Sequence, residues 1–203
     1  MPGKRETAET RKLQIISAAE LVLLEVGIER FTVDQVIEKA GIGKGTVYKY
    51  YRNKDQMLVD LVVKALELLL TGFQEVTEEK EHHLDKIKAL IQSCYAYYQT
   101  YPKYFELISY MERPEFDIDE ANYLAVSHRL QAFTHNLVLE GQQKGHINPS
   151  LDTAMSHYIL WACCVAVVEF VEAKKKLLKD HHEIDRHAMV DTFAEVFTQG
   201  MGV

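Results

Sequence analysis

The chain has 203 residues, 47% of them apolar and 26% charged, with a formal net charge of −7. That length suits one large domain or a small domain with a larger companion, and the apolar content excludes a disordered chain. Three cysteines, Cys163 beside Cys164 and Cys94 far away, make neither a disulfide framework nor a Cys-x-x-Cys metal set. A reducing compartment, no metal and no cofactor are expected. Residues 1–11 are polar and charged, without the apolar core of a signal peptide. The longest apolar run, 158–168, falls short of the ~18 residues that span a bilayer. The expectation is a soluble, cytoplasmic protein with no membrane partner.

The charge is unevenly placed. Residues 1–56 hold ten Lys/Arg against eight Asp/Glu, a net of +2, whereas the remainder carries −9. A polyanion would dock at the cationic end and be repelled by the acidic body.

Only 4 Pro and 10 Gly interrupt long stretches in which apolar residues recur every three or four positions, so the fold class is all-α. A first helix is predicted over 8–26, with Ile16, Ala19, Leu23 and Val26 on one face and Gly27 as its stop. Thr32-Val33-Asp34-Gln35 reads as a capping box opening a short second helix, with Val33, Val36, Ile37 and Ala40 inward. Gly41-Ile42-Gly43 is a tight turn in which Gly41 takes positive φ and Ile42 plugs the core. A third helix spans 44–51. Asn53 caps a fourth over 54–76. Residues 78–83 form a surface connection, with His82 and His83 in solvent. A fifth helix carries Leu84, Ile87, Leu90, Ile91, Cys94, Tyr95, Tyr98 and Tyr101, and Pro102 opens a sixth over 103–112. The seventh covers 119–144, the eighth 151–178 and the ninth 184–199, nine in all.

Two short helices around a glycine turn also occur as plain packing units. The composition of the third helix is what points to DNA. Val47 and Tyr51, four apart, share the face that packs inward. The opposite face carries Lys44, Thr46, Tyr48, Lys49 and Tyr50, and no acid occurs between Ala40 and Asn53. Exposed tyrosines beside lysines suit a surface covered by phosphates and base edges. Thr46 and Tyr50 are placed to read bases, with Lys49 reaching a guanine edge or a phosphate. Lys44, Tyr48 and Lys54 suit the flanking phosphates. Gly45 lets the backbone approach DNA, and the amides opening the second helix at Thr32 and the fourth at Asn53 suit phosphates. Lys4, Arg5, Arg11 and Lys12 could extend the contact as an arm.

Phe31-Thr32-Val33, Ile37, the run Ala40-Gly41-Ile42-Gly43-Lys44-Gly45-Thr46-Val47-Tyr48-Lys49-Tyr50-Tyr51, then Asn53-Lys54 and Leu58, resemble the signature of the TetR family of repressors. The resemblance covers about the first 60 residues, and Tyr51 stands where that family most often has Phe. It implies a nine-helix homodimer, a cytoplasmic regulator, a DNA-binding domain over 1–53, and a ligand-binding and dimerisation domain over 54–203.

For the body, the run 158–168 is apolar on every side and must be covered on more than one face. A single-chain core would do this. With the family implication added, the two C-terminal helices form a homodimer interface, with Val190, Phe193, Phe197 and Met201 along the last helix. The family also implies a pocket in the body, for which Tyr95, Tyr98, Tyr104, Met111, Tyr123, His128, His157 and Trp161 are the candidates, each equally readable as ordinary core. The expected effector is an apolar or cationic small molecule. His181 and His182 are expected in solvent. An enzyme is disfavoured, since no phosphate loop, nucleophile elbow or metal cluster appears. A dimeric DNA-binding protein controlled by a protein partner, or sensing no small molecule, is the competing reading.

Overall fold

The computed structural model of the chain describes residues 7–116, 118 and 120–203. Among the described residues there are ten α-helices, one 3-10 turn and no strand. They are α1 (Ala8–Val26), α2 (Val33–Ala40), α3 (Lys44–Tyr50), α4 (Lys54–Glu78), α5 (His83–Thr100), α6 (Pro102–Met111), α7 (Ala121–Gln143), α8 (Thr153–Ala173), α9 (Lys175–His182) and α10 (Arg186–Met201), with the 3-10 turn at Ile28–Arg30. The chain divides into two compact units, Met1–Leu66 with Lys103–Leu124, and Glu67–Pro102 with Ala125–Val203.

In the first unit, α1 begins where the Thr7 hydroxyl accepts from the Thr10 amide at 3.2 Å and stops at Gly27, whose φ of 75° suits a residue without Cβ. Its buried face is Ile15, Ala18, Ala19, Val22 and Leu23, the i, i+3, i+4, i+7, i+8 stripe of a helix packed on a core. The expected seam through Ile16 and Val26 is therefore displaced, and both are half-buried. Helix α2 opens with the expected capping box. The Thr32 hydroxyl accepts from the Gln35 amide at 3.3 Å, and Gln35 Oε1 accepts from the Thr32 amide at 2.9 Å. Gly41 closes α2 in the left-handed region at φ 63°, and Ile42 is buried beside it. Val36, Val47, Tyr51, Leu58 and Leu61 complete the core of these short helices. Helix α6 adds Tyr104, Phe105, Leu107, Ile108 and Met111 to the buried residues of the same unit.

The second unit packs α5 against α8 and α10. Its core includes Ile87, Leu90, Ile91, Cys94, Tyr95, Cys164, Val168, Val171, Val190 and Ala194. The helix expected over 151–178 is two helices, which raises the count from nine to ten. The break is at Lys174 (φ −100°, ψ 8°), whose amide donates to Phe170 O at 2.9 Å while its carbonyl accepts from Leu178 N at 2.9 Å. Neither Pro nor Gly marks that break, so the periodicity runs through it. Helix α9 ends at Glu183 in the left-handed region, and Asp185 caps α10 by accepting from Ala188 N at 3.0 Å.

His83 is not in solvent as expected but fully buried at the first turn of α5. Gly141 makes the room for it, because a Cβ there would stand 2.9 Å from His83 Cβ and 2.5 Å from Ile147 Cδ1. The His83 and His146 Nδ1 atoms lie 3.1 Å apart, and the His82 ring stacks on His146 at 4.0 Å. His83 Nε2 faces Glu140 at 3.5 Å. Burial lowers the pKa of His83, against the opposing pull of Glu140. His181 and His182 are exposed as expected.

By length and composition, α8 is long and apolar enough to cross a membrane, although the eleven-residue run 158–168 alone is not. Met155, Tyr158, Ile159 and Phe170 on this helix are exposed.

Candidate nucleic-acid interface

The geometry around α3 follows from two anchors. Val47 is fully buried and Tyr51 nearly so, and the Tyr51 amide donates to Val47 O at 3.0 Å where the helix ends. With that face fixed inward, the helical repeat turns Lys44, Gly45, Tyr48 and Lys49 outward, and all four are exposed. Thr46 and Tyr50 are half-buried beside them. A contiguous strip of hydroxyls, two aromatic rings and two ammonium groups results, with no carboxylate from α3 itself.

Some cations of the strip have partners within the unit. Lys44 Nζ pairs with Asp34 of α2 at 3.1 Å and lies 5.8 Å over the Tyr48 ring. The hydrogen bond to Asp34 raises the Lys44 pKa, so the ammonium stays charged. Lys54 turns inward: its Nζ donates to Ile28 O at 3.1 Å and lies 5.9 Å from Phe31 and 5.8 Å from Tyr110. Asn53 caps α4 as expected, accepting from Gln56 N at 3.0 Å, while Gln56 Oε1 accepts from Arg52 N at 2.8 Å. Of the expected arm, Lys4 and Arg5 lie outside the described residues. Arg11 donates to Gln14 at 3.1 Å, and Lys12 pairs with Asp60 at 2.7 Å. Sequence reasoning missed Asp34 and Asp60, because the ion pairs they form join helices whose relative placement no local pattern encodes.

The eight candidates for a pocket divide between the units. Tyr104, Met111 and Tyr123 belong to the first and Tyr95, Tyr98, His128, His157 and Trp161 to the second. Tyr104 is buried with its hydroxyl on Glu20, and Met111 is buried, whereas Tyr123 is half-buried. In the second unit, the buried Tyr95 donates to Glu172 at 3.0 Å and meets the edge of His187 at 5.1 Å, with Tyr98 stacked on it at 6.5 Å. Arg186 also donates to Glu172, at 2.5 Å, so this carboxylate joins α5, α8 and α10. His157 Nδ1 lies 2.5 Å from Thr134 Oγ1, whose own proton goes to Leu130 O at 3.1 Å. His157 is thus the donor, and its Nε2 remains an acceptor. Burial lowers its pKa. Trp161 is half-buried and His128 exposed.

Residues 15–61 match the family model for bacterial regulatory proteins of the tetR family. The fatty acid metabolism regulator protein of Bacillus subtilis is 23% identical over 152 residues, 73% of this chain and 77% of that protein. A solved protein of unknown function from Rhodococcus sp. RHA1 superposes with a TM-score of 0.78 at 17% identity, covering 100% of both chains. The transcriptional regulator FadR from Bacillus subtilis, solved in complex with stearoyl-CoA, does so with a TM-score of 0.69 at 20% identity, over 94% of this chain and 99% of that one. These likenesses carry the fold across the whole length, and the family model falls on the helices that build the strip. Residues 15–61 thus carry the pattern of the tetR-family model of bacterial regulatory proteins, and α2, the Gly41 turn and α3 within them are arranged as a helix-turn-helix.

Proposed function

We propose that the protein is a one-component transcriptional repressor that holds a palindromic operator as a homodimer and releases it when a small molecule binds the body. The observation that carries this reading is the outward strip of exposed Lys44, Tyr48 and Lys49 with half-buried Thr46 and Tyr50, on a helix anchored by Val47 and Tyr51. Thr46 and Tyr50 read base edges, and Lys44, Gly45, Tyr48 and Lys49 meet the phosphates, together with the amides behind Thr32 and Asn53. Lys54 supports this surface from within. Functionally, residues 1–53 bind DNA and 54–203 bind ligand and dimerise. The protein works in the cytoplasm and is not an enzyme.

One helix-turn-helix covers too little DNA to be selective, whereas two set ~34–36 Å apart read successive major grooves. Support for a dimer through α8 and α10 lies in their outer faces. Met155, Ile159, Ala162 and Ala166 recur on α8 at alternating spacings of four and three, and all are exposed. Small residues in the middle of such a seam let a second helix approach closely. On α10, Val196 is exposed and Phe193 and Phe197 are half-buried, with ring centroids 5.9 Å apart. Val190 and Met201 belong instead to the core of the unit. An apolar α8 face is thus accounted for by a second copy of the chain.

For the effector, the fatty-acid regulator among the relatives and the stearoyl-CoA complex favour a molecule with a long apolar chain over a cationic one. We assign a long-chain acyl thioester as the first class to test. Its transmission is a population shift: release requires the ligand to prefer one conformation of the body, with a coupling of ~1–3 kcal/mol. The experiment is selection of bound genomic fragments, followed by titration of the protein–DNA complex with stearoyl-CoA, a short acyl-CoA and free CoA. Release by stearoyl-CoA alone is the expected result. Equal operator affinity at saturating concentrations of all three would sink the acyl-thioester assignment, and failure to enrich any fragment would sink the repressor.

A further inference from the structure

The Tyr51 hydroxyl at the end of α3 is engaged. It donates to Asp60 Oδ2 at 2.7 Å, and the same oxygen receives Lys12 Nζ at 2.7 Å. Lys12 Nζ also lies 5.7 Å over the Tyr51 ring. Tyr51 ends α3, Asp60 stands on the second turn of α4 and Lys12 on the second turn of α1, so one carboxylate ties three helices at the end of the recognition helix. The Tyr51–Asp60 bond is mostly shielded from water, with Tyr51 2% exposed and the Asp60 side chain 22%, while the Lys12 side chain is 47% exposed. Burial and the neighbouring carboxylate both push the Tyr51 phenol up, which keeps its proton in place as a donor. Tyr50, next in sequence, lines with Tyr51, Lys12, Gln56 and Asp60 a cleft of about 340 Å³.

We propose that Asp60 is a positioning residue for operator reading: through the Tyr51 hydroxyl it fixes the angle at which α3 presents Thr46 and Tyr50 to base edges. This rests on the assignment of α3 as the helix that reads DNA. A charge-assisted hydrogen bond is directional, so it restrains the helix end in rotation, which apolar packing of the same ring does only loosely. Because Asp60 rides on α4, a displacement of α4 moves the end of α3 with it.

The test measures affinity for the duplex recovered by genomic selection and for a random duplex of equal length, together with thermal stability. Tyr51→Phe removes one oxygen and keeps the packed ring; Asp60→Asn removes the charge and keeps the shape. Each is expected to lower the ratio of selected to random affinity about tenfold, with random affinity nearly unchanged. The double variant is expected to lose little more than Asp60→Asn alone, since both substitutions remove the same charge-assisted hydrogen bond. An unchanged ratio in Tyr51→Phe and Asp60→Asn, whatever happens to stability, overturns the proposal and reduces the tie to a structural staple. Tyr50→Ala serves as the control. If it too leaves the ratio unchanged, the reading of α3 itself is wrong.

Discussion

Ile159→Glu on α8 is the sharpest perturbation of the proposed dimer. Ile159 is 53% exposed in the single chain, so a partner that covers it removes about half of the side chain from water. Fully burying an isoleucine is worth ~1.5–3 kcal/mol, so the covered half contributes ~1 kcal/mol in each protomer and ~2 kcal/mol in a two-fold dimer. The glutamate forfeits that and adds two carboxylates to the seam, each with a desolvation penalty of several kcal/mol. A combined loss of ~5 kcal/mol or more weakens the dimer by over ~1000-fold. The isolated fold loses nothing comparable, since a substitution at an exposed position stays within ~0.5 kcal/mol. Sedimentation velocity from nanomolar to micromolar protein reads the mass, and far-UV circular dichroism reads the fold. The variant is expected to be a folded monomer that holds its operator weakly. A full dimer at micromolar concentration with intact operator binding would refute the α8 seam.

Gly141→Ala forces a Cβ to within 2.5 Å of Ile147 and 2.9 Å of His83, and thermal unfolding is expected to show a loss of ~1–3 kcal/mol from overpacking. Lowering the pH should also destabilise the protein. His83 is held below its ordinary value of 6.5 by burial, so the folded state takes up its proton later than the unfolded chain. Its contribution is intact above pH 6.5 and is lost as the pH falls from there through the folded-state pKa. Guanidine titrations at stepped pH check this, and a flat profile for wild type, or no difference in His83→Gln, contradicts it. Lys54→Ala is expected to lower the melting temperature, because its ammonium bridges to Ile28 O, and to leave the salt slope of DNA binding nearly unchanged, since that ammonium points inward. Lys49→Ala should reduce the slope by about one unit and leave the melting temperature alone.

The N-terminal helices were nearly all legible because their instructions are local. The Thr32–Gln35 capping box, the Gly41 turn, the Asn53 cap and the four-residue spacing of Val47 and Tyr51 act within a turn or two, and each appears as expected. What lay beyond the pattern involves partners far apart in sequence. Lys54 turned inward because Ile28, Phe31 and Tyr110 surround it, and His83 is buried because Gly141, 58 positions on, leaves it space. The break at Lys174 carries no Pro or Gly to announce it. The pocket candidates illustrate the limit from the other side. Tyrosines at helical spacing identify a helix face, and the pattern assigns Tyr95 no more to a ligand than to the Glu172 carboxylate it meets.

The central claim is that α3 reads sequence through Thr46 and Tyr50 and meets phosphate through Lys49. Competition between the selected duplex and a random one, for wild type, Thr46→Ala, Tyr50→Ala and Lys49→Ala over a range of salt, tests it most directly. The account predicts that the first two variants lose ~1–3 kcal/mol on the selected duplex alone, while Lys49→Ala loses affinity for both and flattens the salt dependence. Equal losses on both duplexes for all three variants would contradict it.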